Sequence, residues 1–421
     1  MPGPQDAAPL LITARRLIVD ADTPPIDDAA VLVDGTRIRD VGRRSEVKER
    51  SPSGHRHVDA GDRTLLPGLV DMHQHILNEG GGRHDPEGSR PRAIEQGVSN
   101  LHNALRSGVT TVRDAGSWDD ELGRLMQRIS RGELLAPRIL PTGAPLTTPR
   151  GHAHWWGGET QGERALVDAV RRKAEAGMTH VKVMVTGGTS TVGSDPRLPQ
   201  YSEAELRALT REAGRSGLRT MAHVTATEGV RRCLAAGIGS LEHCRMLSPE
   251  GEWEYPNDLF QQIAASGCWV DPTPAHQYRT ITSPPPDADP ARVAQLRADH
   301  VARIEAYRRL LAAGHRRWLV GTDTGWSNPQ DTYPIVCRVM VDEIGMEPRD
   351  VLRAATTDAA RALGLEDEIG SIRKGHAADI IAVEGDPTSD PNSLGEIRLV
   401  IVGGVVADQG SLVATTEGAV T

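Results

Sequence analysis

Long apolar runs are missing from this sequence. None approaches the roughly 18 residues of a membrane-spanning helix, so no membrane partner is expected. Met1 to Pro9 is rich in Pro and Ala. It lacks the basic segment and apolar core of a secretory leader, which points to a cytoplasmic protein. Blocks of basic charge are missing too. With 48 basic and 57 acidic residues the formal charge is −9, and a nucleic-acid partner has no electrostatic support. Cysteine is scarce. Cys233, Cys244, Cys268 and Cys337 are widely spaced and form no C-x-x-C, so no disulfide framework is expected.

Apolar residues are not scarce. At 38% against 25% charged, they suffice for a large core with little disorder. A chain of 421 residues exceeds one ordinary domain but suits a barrel with an appended domain. One stretch stands out, Leu65-Leu66-Pro67-Gly68-Leu69-Val70-Asp71-Met72-His73-Gln74-His75-Ile76. It begins as an apolar run of strand length and ends in two histidines. On a strand, residues i and i+2 share a face, so His73 and His75 project toward one point. Two neutral imidazoles placed so suit a borderline-soft cation such as zinc. Alone, such a pair is weak, because surface or core histidines give the same pattern.

The chain in order supplies context. Leu10–Ala14, Arg16–Val19 and Ala30–Val33 read as short strands. Asp34-Gly35 is a hairpin signal before a return strand at Ile38–Gly42. These few strands bury little by themselves. Matching strands lie at the other end, at Ile380–Val383, Ile397–Val402 and Val405–Ala407. The expectation is one discontinuous β-sandwich, residues 1–66 with 369–421, flanking a central domain at 67–368. Within that domain, apolar strands alternate with helical stretches such as Glu163–Ala176 and Ser202–Ser216, the latter opened by a capping box at Ser202 and Glu205. After the first strand, later ones are expected at Thr110–Asp114, Arg138–Pro141, His180–Val185, Thr220–Val224, Ser240–His243, Cys268–Asp271 and Arg317–Asp323. The fold class is therefore α/β, a (β/α)8 TIM barrel. Ser283–Pro290, rich in proline, is expected as an exposed loop.

Active-site residues of such barrels occupy the C-terminal ends of strands. His73 and His75 end the first, Lys182 lies in the fourth, His223 and His243 lie near the ends of the fifth and sixth, and Asp323 ends the eighth. Each alone has a mundane alternative, as a hydrogen-bonded histidine or a turn aspartate. Together, in this strand order, they read as a metal site.

The chain resembles the amidohydrolase superfamily from Leu32 to Gly404. More narrowly, it resembles the branch of Xaa-Pro dipeptidases, related carboxypeptidases and ochratoxinase-type amidases. The motifs are Leu66–His75, Gly108–Asp114, Val181–Gly188, Ala222-His223, Leu241-Glu242-His243, Gly321–Gly325 and Gly370–Asp379, with Gly151–Gly157 also fitting that branch. The resemblance implies two divalent metals, zinc by preference. His73 and His75 would ligate the more buried one and His223 and His243 the second. Lys182 would react with CO2 to become a bridging carbamate, and Asp323 would bind one metal and carry the proton. An ammonium beside two dications would be repelled, whereas a carbamate offers one oxygen to each. The implied reaction is hydrolysis of an amide or peptide bond in a Xaa-Pro dipeptide, an N-acyl amino acid or a similar carboxylate-bearing amide. The implied catalytic residues are Asp323 and His152. His152, His154, Tyr201 and Arg245 are the candidate substrate contacts. A homo-oligomer is implied as well. Mononuclear deaminases of the superfamily carry a Glu three residues after the fifth-strand histidine. Ala226 stands there, and Lys182 is present, which disfavours deamination. A specialised amide, lactam or cyclic imine substrate is one alternative, and a catalytically dead structural barrel is another.

Overall fold

The computed structural model describes residues 8–78, 89–275, 277–325 and 329–407. The N-terminal region forms β1 (Leu10–Leu17), β2 (Ile26–Asp34), β3 (Arg37–Arg43), β4 (Arg56–Asp59) and β5 (Thr64–Pro67). The central strands are β6 (Leu69–Gln74), β7 (Val109–Asp114), β8 (Arg138–Leu140), β9 (His180–Met184), β10 (Arg219–His223), β11 (Ser240–Glu242) and β12 (Trp269–Asp271). Three strands close the described chain: β13 (Ile380–Val383), β14 (Ile397–Val402) and β15 (Val405–Val406).

Both ends of the chain share one sheet, in the order β15-β14-β13-β5-β1-β2-β3, with β4 on β1. The junction is antiparallel, β5 on β13, with Leu66 opposite Ile381 and Leu65 opposite Ala382. Leu10, Ile12, Val31, Leu65, Ile380 and Ile401 pack in one buried cluster, so neither end buries its apolar face without the other. The β2–β3 turn is the one expected, with Asp34 paired to Arg37 and Gly35 at φ 57°, a left-handed value that favours glycine. Residues 1–7 and 408–421 of the expected β region lie outside the described residues.

The central strands are parallel and form two sheets, β6-β7-β8 and β12-β11-β10-β9. β6, β7 and β9 are buried along their whole length, as parallel strands covered on both faces must be. Helices intervene at Ala93–Arg106, Asp119–Ser130, Glu163–Glu175, Glu203–Arg215 and Thr227–Ala236. Glu203–Arg215 starts on the Ser202/Glu205 capping box and buries Leu206, Leu209 and Ala213 as one stripe. Isolated parallel bridges span the gaps between sheets: Leu146 with Val183, Val270 with Trp318, and Gln74 with Thr324.

The expected eighth strand is corrected here. Arg317–Asp323 is not a regular strand, although its backbone bonds to both neighbours. Leu319 N–H donates to Val270 O at 2.9 Å, and on the other side Met72 N–H donates to Val320 O at 2.9 Å. Asp323 takes a left-handed φ of 55°, yet its N–H still donates to His73 O at 2.7 Å, and His75 N–H to Thr324 O at 2.8 Å. No helix among the described residues is long and apolar enough to cross a membrane.

Candidate metal centre

β6 carries His73 and His75 to the same cavity that receives Lys182 from β9, His223 from β10, His243 after β11 and Asp323. The cavity has a volume of about 790 Å³. The structure thus brings together all six expected ligands. Asp323 Oδ1 lies 3.5 Å from His73 Nε2 and 3.4 Å from His75 Nε2, and its Oδ2 lies 3.9 Å from His243 Nδ1. The His73 ring centroid is 5.5 Å from that of His75 and 5.0 Å from that of His243, and His223 lies 4.7 Å from His243.

Hydrogen bonds on the far side of each ring select the nitrogen that faces the cavity. His73 Nδ1–H donates to Glu242 Oε2 at 2.8 Å, and His75 Nδ1–H donates to Gly116 O at 3.2 Å, leaving each Nε2 as the inward lone pair. His223 is reversed: its Nε2–H donates to Gly187 O at 3.2 Å, which frees Nδ1. His243 Nδ1 pairs with the Thr273 hydroxyl at 2.7 Å. Burial, with the Lys182 charge, brings the His73 pKa down to about 4. Burial, with the neighbouring ionisable side chains, drives His223 and His243 well below the ordinary range. His73, His223 and His243 are therefore neutral at pH 7, the form that ligates a cation.

Lys182 is 1% exposed, and among the described residues its Nζ has no hydrogen-bond partner; His73 Nε2 has none there either. Buried polar atoms left so are costly, and a bound cation would satisfy both. Burial lowers the Lys182 pKa to about 8, against the pull of Glu242 and Asp323. A fraction of the side chain is then a neutral amine near neutral pH, as reaction with CO2 requires. His73, His243 and Asp323 also form a group whose ligand atoms suit one ion. The residues present therefore fit a metal centre.

The backbone is held in uncommon conformations here. His243 sits at φ 64° and Asp323 at φ 55°. Such positions cost energy and persist only where the surroundings impose them. A Cβ on Gly321 would lie 2.0 Å from Asp271 Oδ2 and 2.6 Å from His73 Cβ, so only glycine admits the approach of this loop to the ligands.

Three buried residues that carried no role in the sequence, Arg113, Glu242 and Asp271, surround His73. Arg113 on β7 donates from one nitrogen to both oxygens of Glu242 at 2.9 and 3.0 Å, from Nε to Met72 O at 2.6 Å, and to Ser240 Oγ at 3.0 Å. Burial would raise the Glu242 pKa, but Arg113 and His73 hold the group ionised, well below the carboxylate range. Asp271, 3.9 Å from His73 Nδ1, is pushed well above that range by burial and the Glu242 charge.

The other expected residues divide. His152 lines the cavity, its ring 4.5 Å from that of His223 and its Nδ1 2.9 Å from Thr191 Oγ1. Arg245 lines it too. Tyr201 and His154 are not among the described residues that line the cavity. The buried Tyr201 hydroxyl donates to Thr160 O at 2.8 Å, and His154 begins a short turn whose Trp156 stacks on His75 at 5.0 Å. Trp155, Trp156, Arg279 and Arg292 line the cavity without having been anticipated.

Comparison with known proteins agrees with this geometry. The model of the amidohydrolase family matches residues 64–407. Ochratoxinase of Aspergillus niger is 25% identical over 419 residues, covering 91% of this chain and 83% of that protein. Imidazolonepropionase of Symbiobacterium thermophilum is 23% identical, covering 88% of this chain and 90% of that protein. The crystal structure of a Xaa-Pro dipeptidase with methionine bound in its active site superposes with a TM-score of 0.82 at 27% identity, covering 95% of this chain and 100% of that one. The chain belongs to the amidohydrolase family, on its ochratoxinase-like branch, and is a hydrolase acting on C–N bonds.

Proposed function

We propose that this hydrolase is binuclear and metal-dependent, and that it cleaves an amide or peptide bond in a small carboxylate-bearing substrate, such as an N-acyl amino acid or a Xaa-Pro dipeptide. The fold in this reading is a closed (β/α)8 barrel at 67–368, with the isolated bridges completing the ring, flanked by a β-sandwich from both termini. The observation that carries the reading is the buried Lys182 Nζ, without a hydrogen bond among the described residues, in one cavity with four histidines and Asp323.

His73 and His75 would hold one cation, His223 and His243 the other, with Lys182 as carbamate between them and Asp323 on one; the nitrogen-rich set suits zinc. Bound there, the metals would supply Lewis acidity and lower the pKa of water. The chain's own residues do the rest. The Asp323 carboxylate, within reach of three imidazoles, accepts a proton and returns it to the departing nitrogen. His152 and Arg245 orient the scissile carbonyl and the substrate carboxylate. Trp156, stacked on His75, walls one side and excludes water.

A screen of zinc-loaded protein against N-acyl amino acids and Xaa-Pro dipeptides tests this. Hydrolysis is expected, falling roughly 10²–10⁴-fold in Asp323→Asn. No hydrolysis of any amide, or near-normal turnover in the variant, would overturn the reading.

A further inference from the structure

The protein is acidic as a whole, yet its cavity is lined by positive charge. The formal charge of the chain is −9. Among the described lining residues Asp323 is the one carboxylate, against Arg245, Arg279 and Arg292. Arg245 is only part-exposed, two residues beyond His243. Arg279 and Arg292 are exposed and therefore stand at the mouth. The cations lie at two depths, one beside the reacting centre and the others toward solvent.

The outer pair sits on a braced frame. Arg279 belongs to the short helix Tyr278–Thr282 and Arg292 to the first turn of the helix Pro290–Ala312. Arg297 ties the two helices, donating from Nε at 3.2 Å and Nη2 at 3.0 Å to Ile281 O. The Asp289 side chain accepts from Ala291 N–H at 3.0 Å and fixes the start of the longer helix. Arg292 makes no ion pair among the described residues; its Nη1 donates to Gln295 Oε1 at 3.2 Å. At the inner position, Arg245 lies 3.7 Å from Asp299, and its Nε is buried without a hydrogen bond.

We propose that Arg279 and Arg292 form a second anion subsite, and that the substrate is a small amide carrying two negative groups, one met by Arg245 and one at the mouth. The inference rests on the reading of Arg245 as the carboxylate contact of an amide hydrolase. Guanidinium groups match carboxylates in bidentate geometry. A pair at the mouth also raises the local concentration of an anionic substrate around an otherwise repulsive protein.

The test uses the zinc-loaded full chain and non-hydrolysable probes. Linear dicarboxylates of about four to eight carbons are titrated calorimetrically against monocarboxylates of equal length. The best dicarboxylate is expected to bind roughly tenfold tighter. In the double variant Arg279→Gln, Arg292→Gln the ratio should fall close to one. Equal binding of both acids, no binding of either, or a preference that survives the double substitution overturns the proposal. Turnover of N-acetylglutamate against N-acetylglutamine separates this from the parent reading. Hydrolysis of both at equal rates, with equal binding of the acids, removes the subsite and leaves the amide hydrolase. A dicarboxylate preference with no amide hydrolysed removes the hydrolase reading and leaves the subsite.

Discussion

Replacing Glu242 by Gln should damage both folding and metal binding, although Glu242 is not itself expected to touch a metal. The carboxylate is fully buried and receives His73 Nδ1–H, two contacts from Arg113 and the Ser240 hydroxyl. Removing one partner of a buried ion pair leaves the other charge uncompensated, at about 3–5 kcal/mol. Gln keeps one acceptor oxygen, and Arg113 keeps Met72 O and Ser240 Oγ, so the loss should fall at the lower end, about 3 kcal/mol. The amide nitrogen cannot accept, so His73 and Arg113 compete for that oxygen. The inward His73 Nε2 then loses its fixed direction, and metal affinity should drop roughly 10–100-fold. Urea denaturation of the metal-free protein measures the first effect and zinc titration the second. Adding Arg113→Met should restore part of the stability, since the orphaned charge is then gone. A Glu242→Gln protein within about 1 kcal/mol of the parent, with unchanged zinc affinity, would refute the argument.

Lys182→Ala should lower metal content toward one per chain and nearly abolish hydrolysis, because it removes the only proposed protein bridge between two cations. A short carboxylic acid added to the variant should restore part of the activity, and two retained metals would contradict the bridging role. His315 is buried against Trp318, and burial lowers its pKa from 6.5 to about 4. The unfolded chain therefore binds the extra proton first, so its contribution is full above about pH 6.5 and is lost as pH falls toward 4, by about 3 kcal/mol. His315→Gln should flatten the pH dependence of unfolding in that window, and an unaltered profile counts against the assignment.

The candidate ligands could be picked out of the sequence from strand periodicity and their places at strand ends. Alternation on one strand puts His73 and His75 on one face, and apolar flanks mark Lys182 as interior. Glu242 and Arg113 were not legible as partners, because 129 residues separate them and only the packing of β7 near β11 joins them. Tyr201 looked available near the mouth, but its hydroxyl is bonded to Thr160 O, a pairing set by loop geometry that no sequence period records. Arg279 and Arg292 lie after β12 in a segment without periodic signal, so nothing but their arrangement in space links them to the cavity. That the two ends belong together was expected from the inability of either to bury its own strands; the pairing of β5 with β13 that joins them was not legible. The eighth strand was read from its apolar run; its backbone bonds run on through Asp323, whose left-handed φ no apolar pattern records.

The central claim is that this cavity holds a metal pair. Elemental analysis of the purified protein tests it most directly. The expected result is close to two divalent metals per chain, with zinc predominant. A protein without metal, showing no hydrolysis when zinc is added back, would contradict it.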